Sequence, residues 1–127
     1  MGYCSEIHVI TSVEGFEKMR ECIWELAKDR ELSEDMVLFP KEKENPRVVF
    51  DFFEKNGDYV HFGFSWVKWY DRDTKVILFQ DMLMEIGEEV AWKFYRQGED
   101  SDDFETVTSE AEDYDMPYIE LRPVICW

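Results

Sequence analysis

Two aromatic and β-branched runs, Arg47 to Glu54 and Tyr59 to Trp69, flank Lys55-Asn56-Gly57. This stretch constrains the fold more than any other. Runs of this length suit strands, and Asn-Gly between them is a strong hairpin signal. A two-residue Asn56-Gly57 turn would pair Phe53 with Val60 and set Asp51 opposite Phe62. A three-residue loop with Gly57 in the left-handed region instead opposes Phe52 with Val60, Phe50 with Phe62 and Val48 with Phe64. The second register keeps apolar residues together and is the predicted one. It sends Phe50, Phe52, Phe62, Phe64 and Trp66 toward the core and leaves Asp51, Tyr59, His61 and Ser65 on the other face.

Around this hairpin the hydrophobic period changes several times. Glu6 to Ile10 alternates as a short strand, and Thr11-x-x-Glu14 offers a capping box. Val13, Phe16, Met19, Ile23 and Leu26 then recur at three- and four-residue steps, predicting a helix to Asp29 with Glu17, Lys18, Glu21, Glu25 and Lys28 on the wet side. Arg30 to Pro46 reads as a loop with a short element around Met36 to Phe39. Asp71 or Asp73 can cap a second helix carrying Val76, Phe79, Leu83 and Ile86, which Gly87 ends. Val90, Trp92 and Phe94 alternate as a strand, and Ile119 with Leu121 as a last one. The order strand, helix, strand, strand, helix, strand implies an α+β domain with a mainly antiparallel sheet, two helices on one face, and a ferredoxin-like or related arrangement. A single domain over 1–127 is expected, with an acidic insertion or loop at about 98–117.

That insertion belongs to a wider excess of acid: 30 Asp and Glu against 14 Lys and Arg in 127 residues, a net charge of −16. The acids concentrate at Glu99, Asp100, Asp102, Asp103, Glu105, Glu110, Glu112, Asp113 and Asp115, and no base stands between Arg96 and Arg122. Nucleic-acid binding draws its affinity from Lys and Arg neutralising phosphates, so direct contact with DNA or RNA is disfavoured and a basic partner is expected. Ten Phe, six Tyr and five Trp separate the chain from charged disordered sequences, which lack the large apolar groups needed to offset the entropy of ordering.

Chemistry-bearing motifs are sparse. The cysteines Cys4, Cys22 and Cys126 are far apart and lack metal-ligand spacing, which suggests reduced, buried thiols. Glu99 to Glu105 offers oxygen atoms to a hard cation, but Phe104 and Thr106 interrupt the spacing of an EF-hand loop, and no metal is expected. His8 and His61, the available near-neutral bases, sit in expected strands without an attached nucleophile or oxyanion motif and read as packed or half-exposed residues. The six glycines form no phosphate cradle, so no nucleotide cofactor is implied. Trp66 to Tyr70 could form an aromatic surface, although strand Trp and Tyr usually pack. No apolar run approaches a membrane span, and Met1-Gly2-Tyr3-Cys4-Ser5-Glu6 offers no cationic start followed by an apolar h-region, which predicts a cytoplasmic protein.

Trp66-Val67-Lys68-Trp69-Tyr70, the helix through Val76 and Met82, and Phe94 to Glu105 together resemble small acidic proteins encoded by bacterial phages and prophages; Ser5-Glu6-Ile7-His8-Val9 is similar too. The resemblance covers about two thirds of the chain. It implies a bacterial host cell and an anti-defence context, without implying catalytic residues. Carboxylates held on a rigid domain can stand in for phosphates, which in duplex DNA carry about one charge per 1.7 Å. The expected function is therefore a non-enzymatic inhibitor of a basic nucleic-acid-handling protein, an anti-CRISPR or anti-restriction DNA mimic, with the nine acids of 98–117 as the partner-binding set. An immunity protein against a basic toxin nuclease, or a small metal- or ligand-binding domain using the polar hairpin face with Asp51 and His61 or the acidic loop, are the alternatives.

Overall fold

The structure, a computed structural model, describes residues 4–42 and 45–117. Strand β1 (Ser5–Ser12) leads into helix α1 (Val13–Asp29). Strands β2 (Phe52–Asn56) and β3 (Tyr59–Val67) form the hairpin, helix α2 (Thr74–Ile86) follows, and strands β4 (Trp92–Gln97) and β5 (Phe104–Thr108) close the described sequence. The sheet is antiparallel at every junction and ordered β2-β3-β1-β4-β5. The first four positions are the ferredoxin-like order, two interleaved βαβ units, and β5 extends the sheet beyond β4. The α+β architecture expected from the sequence is present, with both helices contributing to one core against one sheet face. The expected strand at Ile119 and Leu121 lies outside the described residues.

Alternation explains that core. Ile7 and Val9 of β1, Val60, Phe62 and Phe64 of β3, and Trp92 and Phe94 of β4 share the helix-facing side, where Phe16, Met19 and Ile23 of α1 and Val76, Phe79, Met82 and Leu83 of α2 meet them. Phe62 sits at the centre, with ring centroids 4.6 Å from Phe50, 5.0 Å from Phe16 and 5.8 Å from Phe39. The 30–46 connection therefore has a packing role: after a 3-10 turn at Glu34–Met36, it drives Val37 and Phe39 into the core. Ser12, not Thr11, caps α1 and accepts from the Gly15 N–H at 2.9 Å. Thr11 remains in the strand, buried, donating to the Ala91 carbonyl. Asp73 caps α2 and Gly87 closes it.

The hairpin register departs from the expected one. Asn56 pairs with Tyr59, Phe53 with Phe62 and Phe52 with Gly63. The connection is Gly57-Asp58, with Gly57 at φ 64° and Asp58 outside the positive region, the pattern of a II′ turn. Phe53, not Phe52, thus joins the core side, and Phe52 turns to the opposite face. Phe50 still reaches the core because it precedes β2: residues 46–48 form a 3-10 turn that Pro46 opens, and alternation begins only after Asp51. Asp51 is exposed at this junction, and its carboxylate accepts from the Ser65 N–H at 2.7 Å.

A second departure lies at the far end of β3. The pairing with β1 slips between Ser5↔Val67 and Ile7↔Phe64, a bulge at which Trp66 takes φ 53° and turns outward, 60% exposed. Trp69 fills the core in its place, between Phe64, Phe79 and Phe94. No helix among the described residues is long and apolar enough to cross a membrane. Cys22 is a free thiol, whereas Cys4 is disulfide-bonded, which corrects the expectation of three reduced cysteines.

Candidate functional site

The acidic stretch is built into the sheet rather than inserted as a loop. After a turn at 98–103, in which the Gly98 N–H donates to the Asp103 carbonyl at 2.7 Å, residues Phe104–Thr108 pair with β4 as a strand. Alternating Phe104, Thr106 and Thr108 with Glu105 and Val107 supplied a strand pattern, masked by the surrounding charge. Beyond β5, the Ala111 N–H donates to the Gly87 carbonyl at 2.8 Å, and the Lys93 ammonium reaches the Met116 carbonyl. The segment is thereby stitched to the body at several points.

Individual carboxylates take different roles. Asp103 accepts from Arg96 Nη2 at 2.7 Å, and Glu105 lies 3.8 Å from Arg96 Nε, so one guanidinium holds two acids in position. Glu99 accepts from the Cys4 N–H at 2.9 Å. Asp113 accepts from the Tyr59 hydroxyl at 2.9 Å and from the Asp115 N–H at 3.1 Å; the carboxylate beside it pushes the Tyr59 phenol up to about 12. Asp100, Asp102, Glu110, Glu112 and Asp115 are exposed. The nine expected partner-binding acids therefore divide into anchored positions and outward ones carried on an ordered backbone.

Acid also gathers where the helical spacing had shown only a solvated face. Glu21, Glu25 and Asp29 of α1, with Glu85 at the end of α2 and Glu89 in the turn after it, line a depression of about 470 Å³ between the helices. Cys22 lies in it. Burial, then the charges of Glu85 and Glu25, push its thiol up to about 11, so it stays protonated at neutral pH and is a poor nucleophile.

On the sheet face away from the helices, His8 and His61 meet. Both point there because their neighbours Ile7, Val9, Val60 and Phe62 point into the core, and the β1–β3 register sets the imidazoles diagonally, with His8 opposite Gly63 and His61 opposite Ile10. His8 Nδ1 is 2.8 Å from His61 Nε2, and His8 Nε2 bonds to the Glu6 carboxylate. An ionised carboxylate only accepts, so His8 donates from Nε2, and its Nδ1 takes the proton offered by His61 Nε2. Phe52 covers the pair, its ring centroid 5.0 Å from His8 and 5.1 Å from His61. Gly63 makes room for this cover, since a Cβ there would stand 1.8 Å from the Ile7 carbonyl oxygen and 2.9 Å from the Phe52 ring. Burial holds both imidazoles below their ordinary value, partly offset at His8 by Glu6 and reinforced at His61 by His8.

This carboxylate–imidazole–imidazole chain was missed in the sequence because each His was read on its own strand. The shared face was legible; the β1–β3 pairing that joins them was not. Asp51 does not join His61, being held at Ser65. Among the described residues no group of three or more His, Cys, Asp or Glu is arranged to hold a metal ion. No protein-family model matches the chain, and neither a curated protein nor a solved structure matches it.

Proposed function

We propose that the chain is a non-enzymatic acidic inhibitor that binds a basic nucleic-acid-handling protein, of the anti-CRISPR or anti-restriction kind, in a bacterial host. The observation that carries the reading is the anchoring of the acidic segment: Arg96 holds Asp103 and Glu105, the Cys4 N–H holds Glu99 and the Tyr59 hydroxyl holds Asp113. Phosphate mimicry requires carboxylates at defined positions, because charges on a mobile chain lose ordering entropy on binding. A net charge of −16 supplies long-range attraction to a basic surface, and exposed Asp102, Glu110, Glu112 and Asp115 are available for contact.

Capture from a bacterial lysate on the immobilised protein, together with a panel of purified CRISPR effectors and nucleases, tests the reading. Basic nucleic-acid-binding proteins should be retained and released by salt; retention of neutral or acidic proteins alone would refute it. The reading places the encounter in the cytoplasm, where disulfides are generally reduced. It therefore requires that reductant, opening the Cys4 disulfide, leave both the fold and the capture intact.

A further inference from the structure

Two helices lie on the sheet, and its last described strand extends past them. α2 covers β4, where the Leu83 carbonyl accepts the Trp92 indole N–H at 2.9 Å, but every residue of β5 is exposed. Between α2 and β5 runs a groove of about 200 Å³. Buried Leu83, Trp92 and Phe94 form its floor, and Gln80, Met84, Glu105 and Val107 its walls. Ile77, Gln80 and Met84 succeed one another at three- and four-residue steps and so form one stripe along α2. That stripe is exposed where a finished surface would be polar: Met84 is 69% exposed, Ile77 39% and, across the groove, Val107 36%.

We propose that this groove is the docking site for an amphipathic helix of the basic partner. The proposal rests on the function proposed above and specifies the element of the partner that is recognised. A strand that the described residues leave uncovered beside a helix is where a further helix of the same layer would lie, about 10 Å across, its apolar stripe meeting Ile77, Met84 and Val107. The flexible thioether of Met84 suits an adaptable contact. Charge selects the occupant: Glu105 stands in the wall, Asp103 lies beside it on Arg96, and the net charge of −16 opposes a second copy of the chain or an acidic helix. The docked helix therefore carries Lys or Arg along the edge that meets β5.

The probe is a synthetic peptide of about 18 residues made of Leu and Lys, with Leu at i, i+3, i+4 and i+7, compared with a scrambled peptide of the same composition. At about 50 mM salt, where screening is modest, the patterned peptide should bind at least about ten-fold more tightly and shift the methyl resonances of Ile77, Met84 and Val107. Met84→Glu and Val107→Glu, both at exposed positions, should remove that preference with the melting temperature unchanged. Equal binding of both peptides, with shifts spread over the acidic segment, would overturn the groove while leaving the basic-partner reading standing. Binding of neither would overturn both.

Discussion

His8 and His61 are held neutral in the folded chain, and stability should record it. In the unfolded chain each imidazole titrates near 6.5, whereas in the fold both lie lower, chiefly through burial beneath Phe52. The folded protein therefore binds fewer protons below pH 6.5, so stability is full above that value and falls as the pH falls through it. An imidazole that stayed neutral throughout would cost about 1.4 kcal/mol between pH 7.5 and 5.5, and the pair about 2.7 kcal/mol as a ceiling. Three groups facing the pair shape the actual loss: Glu6 on β1 and Glu54 on β2 attract a proton, and buried Tyr95 stands opposite His8 on β4. A first proton can rest on His61 Nδ1 without breaking the chain to Glu6, but a second turns His8 Nδ1 into a donor facing a donor. Urea unfolding at half-unit steps from pH 7.5 to 5.5 should show the wild type losing about 1–2 kcal/mol. The His8→Gln/His61→Gln double variant, weaker at neutral pH by about 1–2 kcal/mol of lost hydrogen bonding, should be nearly flat over that interval. Comparing the two removes the common contribution of the carboxylates. Parallel pH profiles would refute the neutral pair.

Three further substitutions test the packing. Phe62→Ala removes a fully buried ring at the meeting point of Phe16, Phe39 and Phe50 and should cost about 3–5 kcal/mol in chemical denaturation. Trp66→Gly relieves a left-handed backbone at an exposed position and should hold or raise Tm, since that conformation costs a non-glycine residue about 1–2 kcal/mol; a large fall would return Trp66 to the core. Gly63→Ala should disrupt the β1–β3 ladder at Ile7, read as lost amide protection in both strands, and a wild-type exchange pattern would contradict the close approach there.

Elements governed by local period were legible in the sequence, and elements governed by tertiary partners were not. α1 and α2 follow their apolar stripes, α2 is capped by the expected Asp73 while the cap of α1 moves one residue to Ser12, and β3 presents the expected face because Val60, Phe62 and Phe64 alternate without interruption. β2 defeated the same reasoning because its run of aromatics spans two conformations: Phe50 lies in the bend between the 3-10 turn at Pro46–Val48 and the strand, and Phe53 lies in the strand, so both reach the core at a separation that strict alternation forbids. Trp66 was assigned inward on parity alone, and a bulge, which no local pattern announced, reversed it. In the acidic segment, charge density hid the alternation of β5, and the anchoring of Asp103 and Glu105 depends on Arg96, paired with them only once β4 and β5 are adjacent. The outward positions of Asp102, Glu110, Glu112 and Asp115 were legible as acid, but which carboxylates are structural was not.

That division gives the most direct measurement: the association rate between the captured basic partner and a variant with Asp102, Glu110, Glu112 and Asp115 changed to amides, followed from about 50 to 200 mM salt. These four acids are exposed, so Tm should not change. The wild-type rate should fall steeply as salt rises, and the variant should associate more slowly at low salt and approach the wild type at high salt. A salt-independent wild-type rate, or a variant indistinguishable from it at every salt concentration, would contradict recognition through a fixed acidic surface.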